Sequence, residues 1–249
     1  MTAPPAFKDH FSGQADAYQR YRPDYPPALF DWIAAQAPAL GLAVDVATGN
    51  GQAAIGLARH FDKLIATEPS AAQLRGARAD PRVEYRREPS EAISVETGSA
   101  DLVVVAQAAH WFDWPRFTAE AARILRPAGV LAIWCYGSCE VAADIDRLVD
   151  DFSRDVVGPY WPRERRHVEE GYRNLTLPFP PIEAPALAMR ADWDAGAMLG
   201  YLDTWSAVRR HRARTGRDPL ALLSAPLVAA WGRRNRLVRW PLSIRAGRA

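Results

Sequence analysis

The segment Val44-Asp45-Val46-Ala47-Thr48-Gly49-Asn50-Gly51-Gln52 has the pattern of a buried strand that carries an acid near its end and opens into a glycine-rich turn. A helix is predicted to begin at about Gln52. Such a junction presents unpaired backbone N–H groups, and its glycines let a ligand come close because they have no Cβ. The segment therefore predicts a site for a nucleotide-like cofactor.

Strands and helices alternate through the first half of the chain. Apolar runs bounded by turn residues predict strands near 42–46, 63–67, 83–86, 101–106 and 130–136. Helical patterns lie near 30–33, 52–60, 70–79 and 114–125, and the last of them stops at 126–129. This alternation predicts an α/β fold: an open, mostly parallel, Rossmann-like sheet of about seven strands with helices on both faces. Ligands of such sheets bind beyond the carboxyl ends of the strands, where Gly49, Glu68 and Gln107 would converge.

The alternation breaks after Tyr136. Residues 137–212 have helical patterns with aromatic and arginine-rich joints, which predicts a helical lid inserted before the last strands. A helix is expected at 219–232 and a final strand at 237–244, in which Pro241 indicates an edge or a bulge. We expect one domain over 1–249, with an N-terminal flap at 1–30, a cofactor-binding core at 31–136, the lid, and a return to the sheet at 213–249.

Composition restricts the class of protein. A chain of 249 residues, 49% hydrophobic, can bury one large core. Its first residues lack a basic start followed by an apolar run, and no later run has membrane-spanning length. We therefore expect a cytoplasmic protein with no membrane partner, as a monomer or weak dimer. Cys135 and Cys139, the only cysteines, form neither a disulfide framework nor a four-ligand zinc site, so we expect no metal.

Charge is distributed unevenly along the chain. Residues 209–249 hold eleven arginines and one acid, whereas the first 208 residues hold twenty basic and twenty-eight acidic residues. A basic tail of this kind can mark a nucleic-acid face. Because the arginines also fit the solvated end of a helix, we do not expect a nucleic-acid partner.

The glycine spacing has two interpretations. Gly49, Gly51 and Ala54 satisfy G-x-G-x-x-A, and Glu68 follows at the end of the next strand, as in dinucleotide-binding folds. Asp45, however, precedes the turn and could receive an ammonium group. An acid at each of the first two strand ends suits a zwitterionic nucleoside better than NAD.

Three segments resemble class I S-adenosylmethionine-dependent methyltransferases of the type 11 group: residues 45–51, Glu68-Pro69-Ser70, and Gln107-Ala108-Ala109-His110-Trp111-Phe112. Residues 18–26 and 200–206 are similar to the branch that contains trans-aconitate methyltransferase, so the resemblance covers nearly the whole chain. It implies S-adenosyl-L-methionine as cofactor and a small-molecule methyl acceptor, with carboxylate O-methylation as one candidate reaction.

Other functions remain open. An RNA methyltransferase could use the basic C-terminal region, but residues 107–110 lack the Asn/Asp-Pro-Pro-aromatic run that resembles methylation of base amino groups. An NAD-dependent oxidoreductase is supported by the glycine spacing alone. A cofactor-binding module without enzymatic activity is a further alternative.

The resemblance implies cofactor-binding roles for particular residues. Asp45 would lie near the methionine ammonium group, Gly49 and Gly51 would allow close approach, and Glu68 would bind the ribose hydroxyls. Pro69 and Ser70 would flank the sugar. Further cofactor contacts are implied for Tyr18, Arg22, Ala47, Gln52, Pro89, Ser90 and Gln107, with residues 18–22 closing as a flap.

Two positions depart from the family pattern. Ala47 replaces the first glycine of the loop, and we expect its φ to be negative, where an alanine is tolerated. Pro89 and Ser90 fall where the family has an acid and the next backbone N–H for adenine. Since Pro89 cannot supply the acid, adenine recognition is expected from the Ser90 backbone and from packing.

His110 is the candidate catalytic residue, because it follows the fourth predicted strand where an acceptor would lie. A phenol, alcohol or amine would need it as a base, whereas a carboxylate is already ionised near neutral pH. A packed structural histidine is the alternative. The acceptor is expected to contact Trp111, Tyr136, Trp161, Arg165, Arg166 and Trp205. Guanidinium groups suit a carboxylate, although core aromatics and a solvated helix face would give the same pattern.

Overall fold

An eight-stranded sheet runs through residues 21–249, the part of the chain that the computed structural model describes. Its strands are β1 (Leu42–Val46), β2 (Lys63–Thr67), β3 (Val83–Arg86), β4 (Ala100–Ala106), β5 (Leu125–Tyr136), β6 (Pro181–Ile182), β7 (Ala188–Trp193) and β8 (Arg236–Arg248). The order is β3-β2-β1-β4-β5-β8-β6, and β7 also pairs with β8. Strands β1 to β5 pair in parallel, whereas β8 is antiparallel to β5, β6 and β7. The predicted mostly parallel sheet is confirmed.

Helices surround the sheet. They are α1 (Pro27–Gln36), α2 (Gln52–Leu57), α3 (Ala71–Arg75), α4 (Trp114–Ile124), α5 (Ala143–Asp151), α6 (Arg165–Glu169), α7 (Ala195–Asp203), α8 (Ser206–Thr215) and α9 (Ser224–Trp231). Short 3₁₀ turns occupy 109–111, 158–160 and 219–222, and one π turn occupies 152–156. Within residues 21–249, no helix has the length and apolar character needed to span a bilayer.

Both faces of the sheet are covered, because neighbouring side chains of β4 belong to different cores. Val104 packs in the core that contains Ile33 of α1, whereas Val105 packs in the core that contains Phe117 of α4. Period-2 alternation of this kind places successive apolar side chains on opposite faces. The expectation of helices on both faces is confirmed.

The functional edge of the sheet follows from its strand order. The chain moves from β1 to β2 and β3 on one side, then returns to place β4 and β5 on the other side of β1. The carboxyl ends of β1 and β4 therefore border a topological switch point, where open α/β sheets bind their ligands. The loops that begin at Ala47, Glu68 and Gln107 all leave the sheet at this edge.

The segment predicted as a helical lid also contains strands. Helices α5 to α8 lie in it, but so do β6 and β7. The sequence of β7, Ala-Met-Arg-Ala-Asp-Trp, is not rich in β-branched residues; its extended form comes from pairing with Arg236–Pro241 of β8. Tertiary pairing rather than local propensity determines this strand.

Pro241 was expected to mark an edge or a bulge; β8 as a whole is not an edge strand, but at Pro241 it pairs with β7 alone. Pro241 pairs with Ala188 at the end of the β7 ladder, and Leu242 then begins the ladder with β5 by pairing with Tyr136. The proline lies where the strand changes partners. Its missing N–H is tolerated there because no continuous ladder requires it.

Candidate active site

The turn after β1 depends on its two glycines for different reasons. Gly49 has φ of 60° and Gly51 has φ of 83°, both in the left-handed region that favours glycine. A Cβ on Gly51 would collide with the Tyr85 hydroxyl, whereas a Cβ on Gly49 would meet no atom within 4 Å. Gly51 is thus required by packing as well as backbone, and Gly49 borders open space.

Ala47 does not have the negative φ that we expected: its φ is 55°. The turn is fixed by a hydrogen bond from the Thr48 N–H to the Thr67 carbonyl, 2.9 Å, which ties it to the end of β2. A left-handed backbone costs a residue with a Cβ about 1 kcal/mol. The loop therefore keeps the conformation of a glycine at this position although the residue is alanine.

Asp45 is fully buried at the end of β1. Its Oδ2 accepts a hydrogen bond from the Thr48 hydroxyl at 2.5 Å, whereas Oδ1 has no hydrogen-bond partner within residues 21–249. Burial raises the pKa of Asp45 to about 7, although the Thr48 hydroxyl and the Ala54 backbone N–H act in the opposite direction. The charge of nearby Glu68 raises it further. A buried carboxyl oxygen in this state favours a cationic partner.

Glu68 joins the loops that follow β1 and β2. Its Oε2 accepts from the Gly49 N–H at 3.1 Å, and its Oε1 accepts from the Ser70 N–H at 2.9 Å. Ser70 in turn caps α3, since its hydroxyl accepts from the Gln73 N–H at 3.4 Å. The carboxylate is 6% exposed as a residue and is held at the predicted ligand edge.

The loop after β3 holds the predicted adenine residues. Ser90 is buried and Pro89 is exposed. The loop is anchored by backbone N–H groups, with Ser94 donating to Glu88 at 2.9 Å and Ile93 donating to Glu120 at 2.7 Å. Both predicted residues lie in the loop that follows β3, and one strand, β2, separates β3 from β1 in the sheet.

Gln107 and Gln52 hold neighbouring backbone. The Gln107 amide accepts from the Tyr136 N–H at 2.8 Å and donates to the Tyr136 carbonyl at 3.1 Å, so it continues the pairing of β4 with β5. Gln52 donates to the Pro23 carbonyl and to Asp24 Oδ1, both at 2.9 Å. These two predicted cofactor residues therefore fix the loops around the ligand edge.

A cavity of about 100 Å³ lies beside the carboxyl ends of β4 and β5. Within residues 21–249, no acidic residue lines it and no cluster of His, Cys, Asp and Glu could hold a metal ion. Its lining brings together the predicted residues Arg22, Gln107, His110, Trp111, Tyr136, Trp161, Arg165 and Trp205. Arg166 is exposed on α6 and does not line the cavity, and Tyr18 lies outside the described residues.

Two arginines reach this cavity. Arg22 donates to the Tyr136 hydroxyl at 2.9 Å, and its Cζ lies 5.0 Å from the centre of the Tyr201 ring. Arg165 stacks on Trp161, with its Cζ 4.3 Å from the ring centre. The Arg165 Nε is buried without a hydrogen-bond partner in the described chain; it lies 3.6 Å from Glu169 Oε1, too far for a hydrogen bond. Both charges are held by aromatic rings at the cavity wall.

Aromatic side chains form the remaining wall. The Trp161 and Trp205 rings lie 5.3 Å apart, and Tyr201 lies 6.0 Å from Trp205. Sequence analysis missed Tyr201, Thr204 and Ser206 as lining residues. A signal for them existed, because the segment 200–206 was already part of the family resemblance.

His110 lies on the 3₁₀ turn at 109–111, and its Nδ1 is 2.9 Å from the Tyr172 hydroxyl. Burial lowers the pKa of His110 to about 3, and the charges of Arg165 and His167 lower it further. The imidazole is therefore neutral at physiological pH. Tyr172, 62 positions away in the chain, had no sequence signal that linked it to His110.

Comparison with known proteins agrees with this geometry. The family model described as Methyltransferase domain, of the type 11 group, matches residues 44–133. A protein described as a methyltransferase from Dictyostelium discoideum is 32% identical over 93% of this chain and 89% of its own length. A protein from Saccharomyces cerevisiae described as an S-adenosylmethionine-dependent methyltransferase is 28% identical over 62% of this chain and 58% of its own length.

A solved structure shows the same fold. It is described as a type II methyltransferase from Anaeromyxobacter dehalogenans and is 48% identical to this chain, with a TM-score of 0.86. The match covers 92% of this chain and 98% of that one. The likeness therefore includes the segment 137–212 as well as the cofactor half.

Proposed function

The chain belongs to the S-adenosylmethionine-dependent methyltransferases, and we propose that it transfers the methyl group to a small acceptor that carries a carboxylate. The observation that carries this proposal is the charge of the cavity. Arg22 and Arg165 line it, and none of the described lining residues is acidic. Guanidinium groups held on aromatic rings bind carboxylates with directional, charge-assisted hydrogen bonds.

The residues at the ends of β1 and β2 fit S-adenosylmethionine. The unpartnered Oδ1 of Asp45 offers an acceptor for the cofactor's ammonium group, and the open space at Gly49 lets a ligand approach the backbone. Glu68, held by the Gly49 and Ser70 N–H groups, offers a carboxylate for the ribose hydroxyls. An acid at each of two adjacent strand ends supports this zwitterionic nucleoside over NAD.

The other proposed cofactor residues shape the site around these groups. Ala47 and Gly51 set the turn, Gln52 and Gln107 fix the flanking loops, and Pro69 with Ser70 flanks the sugar. The remaining proposed contacts are Ser90 and Pro89 at the adenine, and Arg22 between cofactor and acceptor.

Acceptor binding is assigned to the cavity. Arg165 and Arg22 would orient the acceptor's carboxylate, and the rings of Trp111, Trp161 and Trp205 would exclude water, with residues 137–212 as the lid. When bound, S-adenosylmethionine supplies an electrophilic methyl group on a sulfonium, which a carboxylate oxygen can take to give a neutral ester and a neutral thioether. No proton has to move, because carboxylates are ionised near neutral pH.

The basic C-terminal region supports a small acceptor more than RNA, because many of its arginines have partners in the chain. Arg212 binds Asp203 and Asp218, and Arg239 binds Glu140. Arg236, Arg245 and Arg248 donate to backbone carbonyls. Arginines engaged in this way stabilise the fold and contribute less to a phosphate-binding surface.

Calorimetry tests the acceptor class. The resemblance to the trans-aconitate methyltransferase branch makes trans-aconitate the first probe, and benzoate tests a carboxylate on an aromatic ring. Titrations would be made with S-adenosylhomocysteine present. We expect the carboxylates to bind and benzamide, the neutral isostere of benzoate, not to bind. Equal binding of benzoate and benzamide, or binding of neither carboxylate, would remove the support for an anionic acceptor.

A further inference from the structure

The Tyr172 hydroxyl contacts the ring of His110, which belongs to the 3₁₀ turn at 109–111. It lies 2.9 Å from His110 Nδ1, and Tyr172 is fully buried. Gly171 and Tyr172 both have left-handed φ, 59° and 60°, and Arg245 of β8 donates to the Tyr172 carbonyl at 2.5 Å. A non-glycine residue in this conformation persists only where its surroundings fix it.

Backbone N–H groups near His110 also act on the Tyr172 hydroxyl. The first N–H groups of a helical turn have no partner inside the turn. In the turn at 109–111, the backbone N–H groups of Ala109 and His110 act to lower the pKa of the Tyr172 phenol. Burial has the larger effect and raises that pKa well above its usual value, so Tyr172 keeps its proton. The proton is then available to His110 Nδ1.

A neutral imidazole has one proton for two nitrogens. Burial of the His110 ring, together with the positive charge of Arg165 on α6, keeps the ring neutral. A hydrogen bond from the Tyr172 hydroxyl to Nδ1 requires the proton of His110 to lie on Nε2. His110 also lines the cavity that holds Arg22 and Arg165.

We propose that Tyr172 is a positioning residue that fixes His110 as an Nε2–H hydrogen-bond donor, and that His110 donates to the acceptor rather than taking a proton from it. The acceptor in this inference rests on the proposed function, whereas the protonation state of the imidazole does not. A His110 that donates restricts the acceptor to groups that are nucleophilic without a base. A carboxylate satisfies this condition, whereas a phenol, an alcohol or a protonated amine does not.

The state of His110 can be measured without an acceptor. Imidazole ¹⁵N chemical shifts distinguish a protonated from an unprotonated nitrogen, and His110→Gln assigns the His110 signals among the five histidines. We expect the full chain to show an unprotonated Nδ1 and a protonated Nε2, unchanged between about pH 5 and pH 8. Tyr172→Phe should let both tautomers appear. A protonated Nδ1 in the wild-type chain, or titration of the ring within that range, would overturn the proposal.

A second experiment separates a donor from a base. The amide N–H of Gln can replace the Nε2–H of histidine but cannot take a proton. With trans-aconitate as acceptor, we expect His110→Gln to keep kcat/KM within about threefold and His110→Ala to lower it about tenfold. Loss of about a hundredfold or more in both variants would indicate a base.

The two experiments fail independently. If no carboxylate is methylated, the proposed function is wrong while the ¹⁵N spectrum still decides the role of Tyr172. If Tyr172→Phe does not fold, the wild-type spectrum alone supports or overturns the assignment.

Discussion

Ala47 and Gln107 have the same left-handed φ, 55°, immediately after the neighbouring parallel strands β1 and β4. The chain therefore leaves both strands through a residue with left-handed φ, at the two sides of the switch point. Neither residue is a glycine, and left-handed residues with a Cβ concentrate at functional sites. The loops that begin at these two residues border the switch point, where we place the cofactor.

Replacing Ala47 with Gly should stabilise the chain. The substitution removes the cost of a left-handed alanine, partly offset by the greater freedom of glycine in the unfolded state, so we expect a net gain of ~0.5–1 kcal/mol. Denaturant unfolding measures it. Ala128→Gly is the matched control, because Ala128 is exposed with φ of 65° outside the crevice. If Ala47→Gly lost stability while Ala128→Gly gained it, the backbone of Ala47 would not be strained.

Asp45 should make the stability of the cofactor-free chain depend on pH. Its pKa is about 7 in the folded chain against 3.8 in a model peptide. The folded state therefore binds more protons between these values, and the free energy of unfolding falls as pH rises through this window. Asp45→Asn should remove the fall and stabilise the free chain near pH 8, by up to about 4 kcal/mol. Denaturant titrations near pH 5 and pH 8 test this.

The Asp45→Asn variant should also bind the cofactor less tightly. Asn at position 45 cannot offer a charge to the ammonium group, so we expect affinity for S-adenosylmethionine to fall at least about tenfold. Calorimetry measures it alongside the gain in stability. If the Asp45→Asn variant were less stable than the wild type near pH 8, the Asp45 carboxylate would not be a destabilising buried charge in the cofactor-free chain.

Glu68→Gln tests the ribose assignment. Loss of the charge should weaken S-adenosylmethionine binding about tenfold, because charge-assisted hydrogen bonds are the stronger ones. Asp194→Asn is a suitable control, since Asp194 also accepts a backbone N–H, at 2.7 Å, but does so at the start of α7. If Glu68→Gln bound the cofactor as tightly as the wild type, the ribose would have to be placed elsewhere.

The Arg165→Gln variant should distinguish binding of the acceptor from binding of the cofactor. We expect unchanged affinity for S-adenosylmethionine and at least about tenfold weaker binding of trans-aconitate, because a charged hydrogen bond to the carboxylate is lost. Arg166→Gln removes the next charge along α6, which does not line the cavity, and should change neither. If the two substitutions had equal effects, the loss of binding would come from the lower net positive charge of α6 and not from a contact in the cavity.

Sequence patterns predicted the cofactor half of the fold well because its determinants are local. Strands β1 to β4 are short apolar runs bounded by turn residues, and their observed bounds agree with the predicted ones to within one residue. β7 was missed because its extended form depends on pairing with β8, far along the chain. The expectation for the φ of Ala47 was wrong for a related reason: the turn is fixed by Thr67 at the end of β2 and by Glu68 just after it, not by residue 47 itself.

The candidate site divides in the same way. Asp45, Glu68 and the glycines occur in contiguous motifs, so they could be proposed from sequence. The Tyr172–His110 contact brings together two segments 62 positions apart, and only the fold shows it. Arg165 and Arg166 were indistinguishable in sequence, whereas the helix turns one to the cavity and the other to solvent.

Mass spectrometry of the reaction products shows directly whether the chain methylates a carboxylate. The full chain would be incubated with S-adenosylmethionine carrying a deuterated methyl group, trans-aconitate, benzoate, benzamide and an RNA oligomer, and all products analysed together. We predict a labelled methyl ester on a carboxylate, in at least about tenfold lower yield when Arg165→Gln replaces the wild type at a limiting acceptor concentration. Label found only on RNA or on the amide, with none on either carboxylate, would contradict the account.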